Sequence, residues 1–529
     1  MKHLNIAINA GSTAAFNNNA DFCVGTGRMG LAMQKEYHDQ LALAQELCHF
    51  KHIHGHGLFC DDMAIYQPWT DEEGAEHEGY NFTYLDRVMD DYRALGLKPF
   101  IELGFMPEKM ASGTQTIFYW KGNTTPPADH QKWADMIKAT LRHLAERYGE
   151  EEVSTWPCEV WNEPNLPGFW ENADKEKYLH LYEVTAWPCE VWNEPNLPGF
   201  WEHADEDAYH QLYKTSVLAV KEALPKMRVG GPAICGGATS LDWVRNFLTF
   251  CRDEKLPVNF LTRHAYMGET PERKGRYLYH TMRTVDSIIE EMQSTRDIID
   301  SFPEYVGMEM HVTEFNTSYH PFCPIHDTNY NAALVAGLLS RMGDVCASYS
   351  YWTFGDVFEE QGVPSRPFHG GFGMIANQCI PKPTLWAFHY YNNLKGECVH
   401  RDDNCLIMKK ADGSYEGVAW NIAQAERAEI TLDIALPVEG KCVLTTETVD
   451  EVICNPLKAW HDLGEPASLT DEQLRFLRQA GQPLCQTCQA EDGKISILLR
   501  ENAVVRFTLK AAAPQTDYGY DYSWYVENR

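Results

Sequence analysis

The sequence predicts an α/β protein: a (β/α)8 barrel joined to an accessory β-sandwich. Three observations support this prediction. From about residue 20 to 385, short apolar runs typical of strands alternate with longer amphipathic stretches typical of helices. No glycine-rich phosphate loop follows an early strand, which disfavours the alternative of an open, doubly wound sheet. After residue 385, apolar residues recur at every second position between turns rich in Gly, Asp and Asn, a pattern typical of a β-sandwich.

Each barrel strand is predicted from an apolar or β-branched run that ends at turn residues. These runs lie at 50–57, 97–107, 158–164 or 189–195, 228–234, 257–266, 307–315 and 347–354. Helices are predicted where apolar residues recur at helical spacing between the strands. They include Glu36–Cys48, Asp129–Tyr148, Asp205–Leu224 and Asn329–Met342.

These patterns divide the chain into four parts. Residues 1–20 contain an N-terminal strand expected to join the sandwich, and residues 21–385 form the barrel. Residues 386–515 form the accessory β-sandwich, and residues 516–529 are a polar-aromatic tail.

Charge and composition exclude several classes of partner. The 529 residues include 45 Lys and Arg against 75 Asp and Glu, a net charge of −30, which disfavours nucleic acids and anionic membranes. No stretch reaches the roughly 20 apolar residues of a membrane span, and residues 1–22 lack the apolar core of a signal peptide. The 16 cysteines are scattered and are expected to be reduced thiols. We therefore predict a cytoplasmic protein.

A tandem duplication interrupts the barrel pattern. WPCEVWNEPNLPGFWE occurs at 156–171 and again, unchanged, at 187–202, so that residues 156–186 repeat as 187–217. A solenoid needs three or more repeats, and a barrel has room for one fourth strand. One of the two copies is therefore an insertion.

Three glutamates lie at the carboxyl ends of predicted strands. Glu163 and Glu194 follow the strands of the two copies, and Glu314 ends the strand in HVTEFNTSY. The carboxyl ends of barrel strands meet at one cleft. Two carboxylates among aromatic rings such as Trp352 are what glycoside hydrolysis needs: one protonates the leaving oxygen, and the other attacks or stabilises the sugar.

WNEPNLPGFW and HVTEFNTSY resemble the acid/base and nucleophile signatures of glycoside hydrolase family 39, which contains β-xylosidases and α-L-iduronidases. The resemblance covers most of the chain and implies a TIM barrel with a β-sandwich. Further segments that resemble the family lie at 23–37, 54–66, 100–107, 228–233, 350–362 and 368–375. Residues 459–473 resemble the accessory β region of the family.

The resemblance implies Glu314 as the nucleophile and the glutamate of one WNEP copy as the general acid/base. We favour Glu194 over Glu163, because the second copy leads without interruption through a helix into the next strand. The first copy can then loop out on the face away from the cleft. The sugar contacts that the resemblance implies are His56, the asparagine before the acid (Asn193 or Asn162), His264, Tyr266, Trp352 and one of Glu359 and Glu360. His54 departs from the family pattern, where an arginine is usual.

The expected function is a retaining exo-glycosidase, most simply a β-1,4-xylosidase that releases xylose from short xylo-oligosaccharides. Its mechanism needs no metal and no organic cofactor. One alternative is another sugar specificity, such as an α-L-iduronidase-like or β-galactosidase-like activity. Another is a carbohydrate-binding protein whose catalysis the duplication impairs. The family resemblance also implies a possible homo-oligomer.

Overall fold

The computed structural model describes residues 2–123, 125, 127–153, 155–156, 158–160, 210, 213–214, 230–237, 240–423, 428–514, 519, 521 and 524. The predicted helix Asp205–Leu224 falls almost entirely outside these residues.

Up to residue 381, most strands are short, and they alternate singly or in small groups with helices. In chain order they are β1 (Lys2–Ala7), β2 (Cys23–Gly25), β3 (His52–Gly55), β4 (Trp69–Thr70), β5 (Glu76–His77), β6 (Lys98–Leu103), β7 (Thr116–Ile117), β8 (Gly122–Asn123), β9 (Cys158–Val160), β10 (Gly230–Ile234), β11 (Phe260–Tyr266), β12 (Glu272–Lys274), β13 (Tyr277–Tyr279), β14 (Glu309–Asn316), β15 (Ser348–Tyr351), β16 (Ile375–Ala376) and β17 (Ile380–Pro381).

The helices of the same region follow the strands in turn. They are α1 (Lys35–Cys48), α2 (Thr83–Ala94), α3 (His130–Tyr148), α4 (Glu150–Val153), α5 (Ser240–Asp253), α6 (Val285–Asp300), α7 (Asn329–Leu339) and α8 (Pro383–Asn392). Side chains cap several of them: Asp129 accepts hydrogen bonds from the first backbone N–H groups of α3, and Thr284 and Thr328 do the same for α6 and α7.

Eight parallel strands form the barrel. Their order in the sheet is β10, β11, β14, β15, β2, β3, β6, β9. Strands that are adjacent in the sheet are thus consecutive barrel strands in the chain, apart from β15 and β2, which are the last and the first. The last strand, β15, pairs with the first, β2, through Ser350 beside Cys23 and Tyr351 beside Val24. This pairing of last with first curls the sheet, and the predicted (β/α)8 barrel is confirmed.

The fourth barrel strand comes from the first copy of the duplication. β9 runs parallel to β6, with Ile101 beside Cys158 and Leu103 beside Val160. With β9 in place, the described strands already number the eight of a (β/α)8 barrel.

The accessory domain contains β18 (Glu397–Arg401), β19 (Cys405–Lys409), β20 (Tyr415–Trp420), β21 (Ile430–Ala435), β22 (Lys441–Val449), β23 (Leu484–Glu491), β24 (Lys494–Leu499) and β25 (Val504–Ala511). The sheet order is β1, β21, β24, β23, β22, β25, β20, β19, β18. β23 and β24 pair only at Glu491 and Lys494. This hairpin therefore divides the sheet into a part of three strands, β1, β21 and β24, and a part of six strands, β23 to β18 in the sheet order. Apolar side chains from both parts, such as Leu432 and Phe507, share one core.

The N-terminal strand belongs to the accessory domain. β1 pairs in parallel with β21 along its whole length, from Lys2 beside Ile430 to Ala7 beside Ala435. Ile6 of β1 contributes to the core of that domain.

Two helices between β22 and β23 join the accessory domain to the barrel. They are α9 (Pro456–Asp462) and α10 (Asp471–Ala480). Trp460 and Leu477 pack with Phe368 and Ile380 of the barrel region. The segment 459–473 is therefore largely helix and turn within the accessory domain. Among the helices in the described ranges, none combines the length and the apolar character needed to cross a bilayer.

Candidate active site

Glu314 lies near the carboxyl end of β14, the seventh barrel strand. Its Oε2 accepts a hydrogen bond of 2.7 Å from the Tyr266 hydroxyl, and His264 Nδ1 lies 3.7 Å from the same oxygen. The Glu314 side chain is 20% exposed. Glu314 is therefore a carboxylate held in a fixed orientation that still reaches solvent.

The pairing of β11 with β14 explains why these side chains meet. The two strands run parallel, with His264 beside Glu314 and Tyr266 beside Asn316. Side chains two residues apart on a strand point to the same face, so His264 and Tyr266 are directed alike. A register shift directly before His264 sets this alignment.

A second carboxylate, Glu360, faces the same cleft from the segment that follows β15. His56 Nε2 lies 3.2 Å from Glu360 Oε1, and the Glu360 side chain is 19% exposed. Burial raises the pKa of Glu360 above its ordinary value, His56 lowers it in part, and the charge of Glu314 raises it further. The charge of Glu314 is thus close enough to affect the ionisation of Glu360.

The neighbouring Glu359 is directed elsewhere. Its Oε2 lies 3.0 Å from Arg28 Nη2, and its Oε1 accepts a hydrogen bond of 3.1 Å from Gln34. Arg28 also pairs with Asp62. Of the two adjacent glutamates, the structure places Glu360 beside His56 and Glu314, and Glu359 in an ion pair at the edge of the cleft.

Trp352 follows β15 and forms part of the floor of the cleft. Its ring packs edge-on against Phe358, at 6.2 Å between centroids, and Phe358 packs edge-on against Phe372, at 5.4 Å. The buried amide of Asn316 donates to the carbonyl oxygens of Trp352 and Phe372. A Cβ atom at Gly25 would lie 2.5 Å from the Trp352 ring, so only glycine allows this position.

Aromatic rings form a wall beside His56. The rings of Phe118 and Trp120 both stack on His56, each at 5.8 Å between centroids. The Arg28 guanidinium lies 5.5 Å from the centre of the Trp120 ring. His54, where the family resemblance implies an arginine, lies 6.3 Å from the Trp352 ring.

A buried ion-pair cluster supports the segment that carries Phe372. Lys382 Nζ lies 2.7 Å from Asp327 Oδ1 and 2.6 Å from Asp356 Oδ2, and all three side chains are buried. The other carboxylate oxygens accept hydrogen bonds of 2.7 Å and 2.8 Å from backbone N–H groups of residues 370–373. One lysine is shared by two carboxylates, whose other oxygens are satisfied by backbone N–H groups, so the cluster ties this segment to α8.

We expect His326, beside this cluster, to make the stability of the protein depend on pH. Burial lowers the pKa of His326 from 6.5 to about 4. Between these values the unfolded chain binds a proton that the folded chain does not, so the free energy of unfolding declines as the pH falls below 6.5. The contribution of this group to the loss between pH 7 and pH 5 is about 2 kcal/mol. Urea unfolding followed by tryptophan fluorescence at both pH values measures it.

The variant His326→Asn is expected to remove most of this pH-dependent loss. The control is His49→Asn, which replaces an exposed histidine whose positive φ of 54° asparagine accepts readily. A His326→Asn protein that loses as much stability as the wild type between the two pH values contradicts this assignment.

The structure describes some of the predicted site residues and adds others that were not predicted. Glu163, Glu194, Asn162 and Asn193 lie outside the described residues. The structure brings together Glu314, His264, Tyr266, His56, Glu360 and Trp352. It adds Arg28, Phe118, Trp120 and Asn316, which were not predicted from the sequence. Arg28 follows a strand end in GTGRMG and could have been noticed for that reason, whereas Phe118 and Trp120 lie in the short turn between β7 and β8, which has no periodicity.

An eight-stranded parallel barrel with carboxylates and aromatic rings at the carboxyl ends of its strands is the arrangement of a glycoside hydrolase. The family model "Glycosyl hydrolases family 39" matches residues 4–186 and 183–495, two segments whose junction falls within the duplication. The chain belongs to glycosyl hydrolase family 39.

Similar proteins agree with this family. A β-xylosidase of Geobacillus stearothermophilus is 42% identical over 98% of this chain and 97% of its own length. A β-xylosidase of Caldicellulosiruptor saccharolyticus is 31% identical over 87% of this chain and 88% of its own length. The crystal structure of a monomeric β-xylosidase from Caulobacter crescentus CB15 superposes with a TM-score of 0.77 at 30% identity, covering 97% of this chain and 100% of that one.

Proposed function

We propose that the protein is a retaining β-xylosidase that removes xylose from the non-reducing end of short xylo-oligosaccharides. The observation that carries the proposal is the carboxylate of Glu314, held by Tyr266 in a cleft that also contains Glu360 and His56. The relatives named as β-xylosidases support xylose as the sugar, because they align with most of this chain.

The side chains around His56 support exo action. Phe118 and Trp120 stack on His56, and Arg28 packs on Trp120, and we infer that this wall limits the site to the end of a sugar chain. A terminal sugar fits such a cleft, whereas an internal unit of a polymer needs a groove open at both ends.

The charges around the cleft support a neutral sugar over a uronic acid. Arg28, the cation at the wall, is already paired with Asp62 and Glu359. Glu314 and Glu360 would repel the carboxylate of an iduronide. The alternative of an iduronidase-like activity therefore has less support than a xylosidase.

The chemistry of the proposed reaction has two steps. Glu314 attacks the anomeric carbon and forms a glycosyl-enzyme ester while the acid/base protonates the leaving oxygen, and the same acid/base then deprotonates the water that cleaves the ester. Tyr266 and His264 both approach Oε2 of Glu314. If the other oxygen, Oε1, attacks the anomeric carbon, both contacts to Oε2 are kept.

We assign the acid/base to the first copy of the duplicated segment, and therefore to Glu163 rather than Glu194. β9 occupies the fourth position of the barrel, beside β6, and Glu163 follows the end of β9 by three residues in the sequence. The pairing of β9 with β6 therefore supports Glu163, whereas the continuity of the sequence after the second copy favoured Glu194.

The proposed setting is the cytoplasm, where imported fragments of xylan would be the substrate. The cysteines in the described part of the chain are free thiols, which supports a reducing compartment.

Hydrolysis of 4-nitrophenyl β-D-xyloside, 4-nitrophenyl β-D-glucoside and 4-methylumbelliferyl α-L-iduronide tests the proposal. We expect kcat/KM for the xyloside to exceed both others by about 100-fold, within the range by which a fitted pocket discriminates against one additional carbon group. Proton NMR is expected to show β-xylose before α-xylose. A preference for the iduronide, or α-xylose as the first product, contradicts the proposed sugar or the proposed retention.

A further inference from the structure

An exposed ring lies one side chain away from Glu314. Tyr319 follows β14 by three residues and is 46% exposed. Its ring meets the Tyr266 ring edge-on, with 6.3 Å between the centroids. Since the Tyr266 hydroxyl donates to Glu314, Tyr319 borders the reacting centre while presenting a ring to solvent.

Neighbouring groups hold the Tyr319 ring in place. The His280 ring packs edge-on against it, with 4.8 Å between the centroids. His280 Nδ1 in turn lies 2.5 Å from the Glu269 carbonyl oxygen. The backbone N–H of Leu278 donates to the Phe322 carbonyl oxygen and joins the loop after β11 to the loop after β14. An aromatic ring fixed in this way loses little conformational entropy when a ligand packs on it.

Tyr319 lies away from the aromatic wall. Phe118, Trp120 and Arg28 lie on loops after β2 and β6 and surround His56, which follows β3. Tyr319 and His280 lie on the loops after β14 and β11, on the other side of Glu314. If the terminal sugar binds between the wall and Glu314, the loops that carry Tyr319 and His280 are free to receive its leaving group.

We propose that the ring of Tyr319 is the platform of a leaving-group subsite, on which the apolar face of the next xylopyranose ring packs. This inference rests on the proposed function, and it adds a residue that determines the preference for the leaving group. The ligand class is a neutral pyranose, because the platform is an aromatic face continuous with the catalytic cleft.

The test compares two substrates that share a glycone and differ in the leaving group. For Tyr319→Ala, we expect kcat/KM for xylobiose to fall about tenfold, the upper range of the contribution of one aromatic contact. β-D-Xylopyranosyl fluoride has no sugar in the leaving group, and its kcat/KM is expected to change less than about twofold. Tyr319→Phe keeps the ring and is expected to retain wild-type activity on both substrates. Tyr84→Ala, which removes a tyrosine that is 42% exposed on α2, serves as the matched control.

Each other result overturns the inference. If Tyr319→Ala lowers kcat/KM equally for both substrates, Tyr319 acts on the glycone or on the fold. If it changes neither, no sugar packs on the ring. A folded wild-type protein that hydrolyses neither substrate disproves the proposed β-xylosidase activity, and with it this subsite.

Discussion

Replacement of Glu314 by glutamine is expected to lower kcat for aryl β-xylosides by about 10⁴-fold or more, because an amide cannot form the glycosyl-enzyme ester. The amide oxygen can still accept the hydrogen bond from Tyr266, so the fold and the shape of the cleft are expected to persist. Initial rates with 4-nitrophenyl β-D-xyloside measure the loss, and circular dichroism checks the fold.

Two further variants identify the role of Glu314. With Glu314→Ala, added azide takes the place of the missing carboxylate, and α-xylosyl azide is the expected product. The matched control is Glu309→Gln, which alters a carboxylate at the opposite end of the same strand and is expected to leave the rate unchanged. Normal hydrolysis by Glu314→Gln would exclude this residue as the nucleophile.

The second large effect is expected at Glu163. Glu163→Gln is predicted to lower kcat/KM for xylobiose by about 10²- to 10⁴-fold, because this substrate needs protonation of its leaving oxygen. For 2,4-dinitrophenyl β-xyloside, whose leaving group is a weak base, the first step needs little acid assistance and is expected to be affected much less. Azide added to this variant is expected to give β-xylosyl azide, the opposite anomer from that of Glu314→Ala.

Glu194→Gln is the matched control for this experiment. Glu194 lies in an identical stretch of 16 residues, so the two variants test the same local sequence at two places in the chain. We expect Glu194→Gln to retain activity on both substrates. The reverse pattern would assign the acid/base to the second copy, and loss in both variants would show that the two copies cooperate.

The sequence predicted the barrel well where strands are long and apolar. β11 and β14 lie within the predicted runs or extend one residue beyond them, because buried apolar residues recur along their seven and eight residues. β2 was not predicted as a strand, since three residues are too few to show periodicity. The choice between the two copies of the fourth strand depends on β-pairing, and identical sequences carry no information about which of them pairs.

The candidate site was predictable to the extent that its residues end strands. Glu314 follows from the rule that strand ends meet at the barrel mouth, whereas His264 and Tyr266 were predicted from the family resemblance. Glu359 and Glu360 could not be separated from sequence, because adjacent residues in an irregular segment have no fixed direction. The wall residue Phe118 has a positive φ of 63°, a conformation that could not be predicted from the sequence because phenylalanine rarely adopts it.

The pairing of β1 with β21 has a consequence for the order in which the protein assembles during synthesis. Lys2 is synthesised well before its partner Ile430, which is added 428 residues later. At roughly 5 to 20 residues per second, β1 waits about 20 to 90 s before its partner strand exists. All the barrel strands are complete in the meantime. β1 is thus made before every barrel strand, but it can pair along its whole length only after translation has passed residue 435.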